Sequence, residues 1–188
     1  MIGLTGNIGC GKSTVAGMLR EEGIAIIDAD AVAREIRHND ADARAEIVDR
    51  FGTYDAAELA KVVFADGGAL RDLERILHPR VRGVIRARLA ELDHGGEEIA
   101  AVEVIKLLES PLADACDEVW VVRCDEADAI ERLAARGMDE ETARRRLASQ
   151  SSQDEKLAAA DVVIDGSAPM EETRRQVREA LARLRAAA

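Results

Sequence analysis

Ile2-Gly3-Leu4-Thr5, then Gly6-Asn7-Ile8-Gly9-Cys10-Gly11-Lys12-Ser13-Thr14, then Val15-Ala16-Gly17-Met18-Leu19, reads as an apolar strand, a glycine-rich loop and a helix in direct succession. The loop fits GxxxxGK(S/T), in which backbone N–H groups converge on a phosphate chain at a helix N-terminus, where the macrodipole favours negative charge. Gly6, Gly9 and Gly11 remove Cβ atoms where the backbone must curl around oxygens. Lys12 is a point charge long enough to reach β- and γ-phosphates, and Ser13 offers a hydroxyl to a phosphate-bound Mg²⁺. Thr14 reads two ways, as an α-phosphate contact or as a helix-starting residue. The pattern implies a nucleoside triphosphate site, against the alternative of a glycine-rich turn that happens to precede a lysine.

The rest of the chain limits what surrounds this loop. Its 188 residues suit one domain with short insertions and can bury a sizeable core. With 47% hydrophobic but only 2% aromatic residues, that core must be built from Ala, Val, Leu and Ile, as in a helix-rich α/β protein. A net charge of −11 argues against broad binding to nucleic acid or acidic membranes. Cys10, Cys116 and Cys124 are odd in number and lack CxxC or metal-ligand spacing, so neither a disulfide framework nor a zinc site is expected, and a reducing cytoplasm is the default. A Cys10 thiol among helix N-terminal amides would be acidic and shielded by bound nucleotide. No basic region followed by an apolar stretch opens the chain, and no apolar run approaches the ~18 residues of a membrane span.

Short apolar runs alternate with long helical patterns, the signature of a doubly wound parallel sheet. The runs are residues 2–5, 24–27, 99–104, 119–122 and 162–164. Between the second and third lies a helical insertion, about residues 31–95, read as helices over 31–51, 56–64 and 69–92. After the fourth run, Glu126 to Arg136 reads as a helix stopped by Gly137, and Asp139 to Ser149 as another. The polar stretch Gln150 to Lys156 then reads as part of a mobile flap, a lid of about residues 137–157. Met170 to Ala187 closes the chain as an amphipathic helix with Val177, Leu181 and Leu184 on one face.

Asp28 and Asp30 follow the second apolar run and should emerge at the carboxyl end of a strand, the edge where open α/β sheets bind ligands. Asp30 is the preferred general base, with a helix N-cap as the alternative for either. Arg132, Arg136, Arg144, Arg145, Arg146 and Lys156 concentrate positive charge in the flap, either for phosphoryl oxygens or as a solvated face paired with Glu131, Glu140 and Glu141. His78-Pro79 is read as the end of a helical stretch, with the proline forcing His78 into an extended or turn conformation. Trp120 reads as core.

The chain resembles the dephospho-coenzyme A kinase family through IGLTGNIGCGKSTVA, IDADAVAREI, LERILHPRVR, RLAARG, RRRLASQ and DEKLAAADVVIDGS, which together span nearly its whole length. The resemblance implies a three-layer P-loop NTPase fold: a parallel five-stranded sheet with a helical substrate-binding insertion and a helical lid, all in one kinase domain over residues 1–188. It implies ATP as phosphoryl donor, Mg²⁺, and the ribose 3′-hydroxyl of dephospho-CoA as acceptor in the last step of CoA biosynthesis. The nucleotide-binding stretch is then Asn7, Ile8, Gly9, Cys10, Gly11, Lys12, Ser13 and Thr14, with Ser13 on the metal. Arg136 serves as a lid arginine at the nucleotide, and Asp165, Gly166 and Ser167 match the turn near adenine. Asp30, His78, Arg82 and Arg146 match positions at the acceptor substrate, and Asp30, Lys12 and Arg136 carry catalysis. Two departures stand out. The turn near adenine often has Asn where Gly166 stands, and the third strand reads Glu103-Val104-Ile105-Lys106-Leu107-Leu108-Glu109 where the family commonly reads like DVPLLFE. Glu103 keeps a carboxylate close to Mg²⁺, and Lys106 is new.

A kinase for another small alcohol is the nearest rival, and a noncatalytic nucleotide-binding module is another. A GTPase switch is disfavoured because no NKxD base reader occurs. The expected protein is cytoplasmic, a monomer or small homo-oligomer, with small-molecule partners and neither nucleic acid nor membrane.

Overall fold

Every residue of the first strand, β1 (Ile2–Gly6), is buried, as expected for a strand covered on both faces by helices. It is the middle member of a five-stranded parallel sheet ordered β2-β3-β1-β4-β5, with β2 (Ala25–Asp28), β3 (Ala100–Glu103), β4 (Glu118–Arg123) and β5 (Val162–Asp165). The register places Gly6 beside Val122 and Arg123 beside Asp165. The strands run parallel, so the residues that follow them leave at one edge. The computed structural model describes residues 1–187, the Phe64 side chain excepted.

The chain divides into two compact units. The first, residues 1–27 with 97–188, carries the sheet. On one sheet face, Ile2, Leu4, Trp120, Val122, Val162 and Ile164, two apart along their strands, pack against two helices. These are α1 (Lys12–Glu21), through Val15, Ala16 and Leu19, and α9 (Met170–Ala187), through Val177, Ala180 and Leu181. Each large aliphatic side chain removed from water here contributes roughly 1.5–3 kcal/mol. Trp120 is fully buried and its indole N–H donates to Glu118 Oε2 at 2.7 Å, so it is core with its polar atom satisfied.

Residues 28–96 form the second unit: α2 (Ala29–Asn39), α3 (Ala41–Phe51), α4 (Ala56–Ala65) and α5 (Gly67–His94). Two readings of the sequence are corrected here. The pattern over 31–51 is two helices, because Asp40 leaves helical geometry and its carboxylate accepts from the Ala43 N–H as the N-cap of α3. Helix α5 also runs through His78-Pro79 for 28 residues, so His78 is helical. In the turn disturbed by the proline, Arg80 Nη1 donates to the Ile76 carbonyl at 2.7 Å while its guanidinium pairs with Asp40 and Glu46, and buried Val81 and Ile85 continue the apolar face beyond. Tertiary packing overrides the local penalty of the proline.

The flap region contains α6 (Glu126–Ala134), α7 (Glu140–Ala148) and α8 (Gln153–Ala158). Gly137 turns with φ +84° between α6 and α7. Ser152 and Glu155 form a reciprocal capping box that starts α8, so Gln153 to Lys156 of the polar stretch are helical.

Candidate active site

Gly11 sits in left-handed geometry (φ +95°) as the N-cap of α1, which has no side-chain cap and no acidic residue in its first turn. A helix N-terminus with neither is an end where the macrodipole favours an anion. Lys12 heads the helix and is buried, whereas Ser13 and Thr14 are exposed. Ser13 Oγ donates to Glu103 Oε1 at 3.0 Å, joining the loop to the carboxyl end of β3. A hydroxyl and a carboxylate are hard oxygen donors of the kind Mg²⁺ takes. Among the described residues no cluster of three or more His, Cys, Asp or Glu could hold a metal, so an ion here would draw its other ligands from phosphate and water.

The loop is tethered along its whole outer arm. Lys156 Nζ donates to Asn7 Oδ1 at 2.6 Å and to the Ser151 carbonyl at 2.7 Å, and the Ile8 N–H donates to Gln150 Oε1 at 3.0 Å. Arg132 Nη1 donates to the Gly9 carbonyl at 3.3 Å and its Nη2 to the Gly166 carbonyl at 2.7 Å. Gly9 itself turns with φ +84° and lies so close to α6 that a Cβ would stand 2.7 Å from the Ala129 carbonyl. Lys156 is 1% exposed. Burial pushes its pKa below the ordinary lysine range, the charge of Lys12 pushes the same way, and Glu109 and Glu155 oppose.

Cys10 and Cys124 are joined by a disulfide, with Cα atoms 5.0 Å apart and 114 residues between them in sequence. This corrects the expectation of unpaired cysteines and of an acidic Cys10 thiol. Spacing along the chain does not reveal the pair, because it is made by the pairing of β1 with β4: the residues beyond both strand ends meet at one sheet edge. Cys116 remains a thiol, and burial raises it to about 11.

The turn after β5 is built by hydrogen bonds. Arg123 Nη2 reaches Asp165 Oδ2 at 2.5 Å, the Ser167 N–H donates to Asp165 Oδ1 at 2.9 Å, and the Gly166 N–H donates to the Arg123 carbonyl at 2.8 Å. A Cβ on Gly166 would stand 2.1 Å from the Cys10 carbonyl oxygen, so the glycine is required by close packing of this turn on the phosphate loop.

The family model described as dephospho-CoA kinase matches residues 1–172. The chain belongs to the dephospho-CoA kinase family. A dephospho-CoA kinase of Geobacter sulfurreducens is 39% identical over 188 residues, covering 95% of each chain. Among solved structures, TT1252 from Thermus thermophilus superposes with a TM-score of 0.85 at 31% identity, covering 97% of this chain and 96% of that one. The dephospho-CoA kinase from Campylobacter jejuni does so with a TM-score of 0.70 at 25% identity, again covering 97% and 96%. The chain is therefore a kinase built on the P-loop α/β fold. No helix among the described residues is long and apolar enough to cross a membrane.

Within this kinase fold the sequence-derived residues fall into separate groups. Asn7 to Thr14, Glu103, Asp165 and Gly166 converge at the sheet edge of the first unit. Arg136 is exposed in the turn after α6, and Arg146 is exposed on α7. Arg144 pairs with Glu126 and Glu140, and Arg145 with Glu141, so for these two the solvated-face reading holds. In the second unit, Asp28 rather than Asp30 is the N-cap of α2, accepting from the Ala31 N–H at 2.9 Å. Asp30 is exposed in the first turn of that helix, and His78 and Arg82 lie one turn apart on α5. Sequence reasoning counted Arg132 and Lys156 among the flap cations and missed that they hold the loop. For Lys156 the signal was present, since Ser152-Gln153-Asp154-Glu155 has capping-box spacing and starts the helix that aims the lysine.

Proposed function

We propose that the chain transfers the γ-phosphoryl group of ATP to the ribose 3′-hydroxyl of dephospho-CoA, giving coenzyme A. Membership of the dephospho-CoA kinase family over residues 1–172 supports the substrate pair. The observation that carries the chemistry is the uncapped head of α1, with Lys12 within it and the Ser13 hydroxyl bonded to Glu103. Phosphoryl transfer asks mainly for positioning and charge stabilisation. In this reading the backbone of the loop and the head of α1 bind the triphosphate, and Lys12 neutralises charge on its β- and γ-oxygens. Ser13, backed by Glu103, would hold a nucleotide-bound Mg²⁺, which would supply further positive charge to those oxygens. Asp30, two residues beyond the end of β2, orients the acceptor hydroxyl and takes its proton. Arg136 and Arg146 supply guanidinium charge from the lid, residues 137–157 with the turn before it, and His78 and Arg82 contact the acceptor from the helical insertion. The segment Asp165-Gly166 borders the base.

The test is release of ADP by the purified chain with Mg²⁺ and ATP, measured with dephospho-CoA, with nucleosides, with nucleoside monophosphates and with no acceptor. Turnover with dephospho-CoA alone is expected. Turnover with another alcohol in its place would remove the substrate assignment, and acceptor-independent binding without turnover would leave only a nucleotide-binding module.

A further inference from the structure

We propose that Cys10 and Cys124 form a thiol–disulfide exchange site built into the phosphate loop. A low-molecular-weight thiol–disulfide couple closes and opens it, and the closed form binds nucleotide more tightly. The inference rests on the reading of the loop as the ATP site.

Three observations carry it. The bridge ties the loop residue just before Gly11-Lys12 to the end of β4, and it is the one covalent tether among contacts that are otherwise hydrogen bonds from Lys156, Gln150 and Arg132. Both cysteines belong to the buried cluster beneath the loop, while Ser13 and Thr14 at the head of α1 are exposed, so the bridge fastens the loop from below. Both also line a cavity of about 290 Å³ whose wall includes Asn7, Glu126, Arg144 and Gln153, and with Cys10 1% and Cys124 2% exposed a small thiol or disulfide reaches them from that side only as the loop opens. The surroundings are shaped to the closed form. The Cys124 N–H is fixed by Gln153 Oε1 at 3.1 Å, and Gly166 leaves open the space into which the Cys10 carbonyl packs.

Closure is two successive exchanges. One cysteine thiolate attacks a small disulfide RSSR, forming a mixed disulfide and releasing RSH. The second cysteine then attacks the protein sulfur of that mixed disulfide, forming Cys10–Cys124 and releasing the second RSH. Two electrons and two protons pass from the protein to RSSR, and two RSH reverse the reaction. A loop held in one shape loses less conformational freedom when it binds its ligand, so closure tightens ATP binding.

The experiment equilibrates the full chain carrying Cys116→Ser with oxidised or reduced glutathione under native conditions. Iodoacetamide labelling after acid quenching and denaturation, with intact mass, counts the remaining thiols, and ATP affinity is measured on each native form. The expected result is no labelled thiol and a linked Cys10–Cys124 peptide in the oxidised sample. Two labelled thiols are expected in the reduced sample, with ATP binding weakened on the order of tenfold. The same peptide map on the unsubstituted chain, acid-quenched and alkylated after denaturation as for the variant so that Cys116 is labelled in both states, gives the answer independently of how well the variant folds. Two labelled cysteines after oxidised glutathione would overturn the inference and leave the ATP reading standing. Equal ATP affinity in the two forms would overturn the coupling, and closure with no ATP binding in either form would overturn the coupling together with the ATP reading.

Discussion

Replacing Gly166 by Ala inserts one carbon where the turn after β5 meets the phosphate loop. The new Cβ would lie 2.1 Å from the Cys10 carbonyl oxygen, 3.0 Å from the Arg123 carbonyl and 3.1 Å from a Val122 methyl, so the first contact must open by about 0.9 Å merely to match the second. Neither side yields cheaply. The loop is anchored at Cys10 by the disulfide and at Gly9 by Arg132, and Gly166 is held by its N–H to Arg123 at 2.8 Å and by its carbonyl to Arg132 at 2.7 Å. Overpacking of a filled core costs about 1–3 kcal/mol, and giving up one of these hydrogen bonds adds about 1 kcal/mol. A loss of about 3 kcal/mol is expected, which in a chain of this size lowers Tm by roughly 6–12 °C. The displaced loop should also bind ATP about tenfold more weakly. Thermal unfolding followed by circular dichroism and ATP titration by calorimetry measure the two effects. A Gly166→Ala chain with wild-type Tm and ATP affinity would refute the packing argument. In a Cys124→Ala background the Cys10 carbonyl can retreat, so the same substitution should cost about 1 kcal/mol less, a coupling that a double-mutant cycle reads directly.

Asp30→Asn should lower kcat by about 10²–10⁴-fold while ATP affinity stays within about twofold, and matching losses in both would remove its assignment as base. Lys156→Met removes the donors to Asn7 and Ser151 but keeps the buried volume. Because the loop shape serves ground and transition states alike, steady-state kinetics should show KM for ATP raised about tenfold with kcat little changed, and an unchanged KM would deny Lys156 a positioning role. Cys116, raised by burial to about 11 from 9.0, should be alkylated at pH 8 about 100-fold more slowly than an unhindered thiol, with the rate climbing about tenfold per pH unit. The sign for stability follows. The folded thiol stays protonated where the unfolded one ionises, so stability is full below pH 9 and falls as pH rises toward 11, and Cys116→Ser should flatten that slope in alkaline denaturation curves.

Periodicity and the loop motif disclosed the five strands, α1 and α9, because those elements obey local rules: apolar runs for doubly covered strands, and a 3.6-residue stripe for a helix packed on a sheet. Readings failed where a local signal met a long-range contact. Pro79 punctuates the sequence but not helix α5, because Val81 and Ile85 remain buried beyond it and hold the apolar face. Asp40 was legible as a cap, since the polar run Arg37-His38-Asn39-Asp40 interrupts the apolar stripe, but the helical pattern on either side of it read as one helix. The Cys10–Cys124 pair and the grip of Arg132 on Gly9 and Gly166 depend on strand order and register, which no residue-to-residue spacing encodes.

The glycines separate what the ligand demands from what the fold demands. The phosphate-loop motif invites the view that each glycine makes room for phosphate. The geometry assigns three of the four glycines around the loop to the protein itself. A Cβ on Gly6 would lie 2.3 Å from the Val122 carbonyl, one on Gly9 2.7 Å from the Ala129 carbonyl, and one on Gly166 2.1 Å from the Cys10 carbonyl. Only at Gly11 is the nearest foreign atom as far as 3.8 Å, and there the constraint is the left-handed φ of +95° at the head of α1. Parallel strands deliver everything that follows them to one edge, so the segments after β1, β4 and β5 must share the same few ångströms. Side chains were removed where those backbones collide. The phosphate-binding nest is thus held from behind by packing, and substitutions at Gly6, Gly9 or Gly166 should register first as lost stability, whereas Gly11→Ala should register first as lost nucleotide affinity.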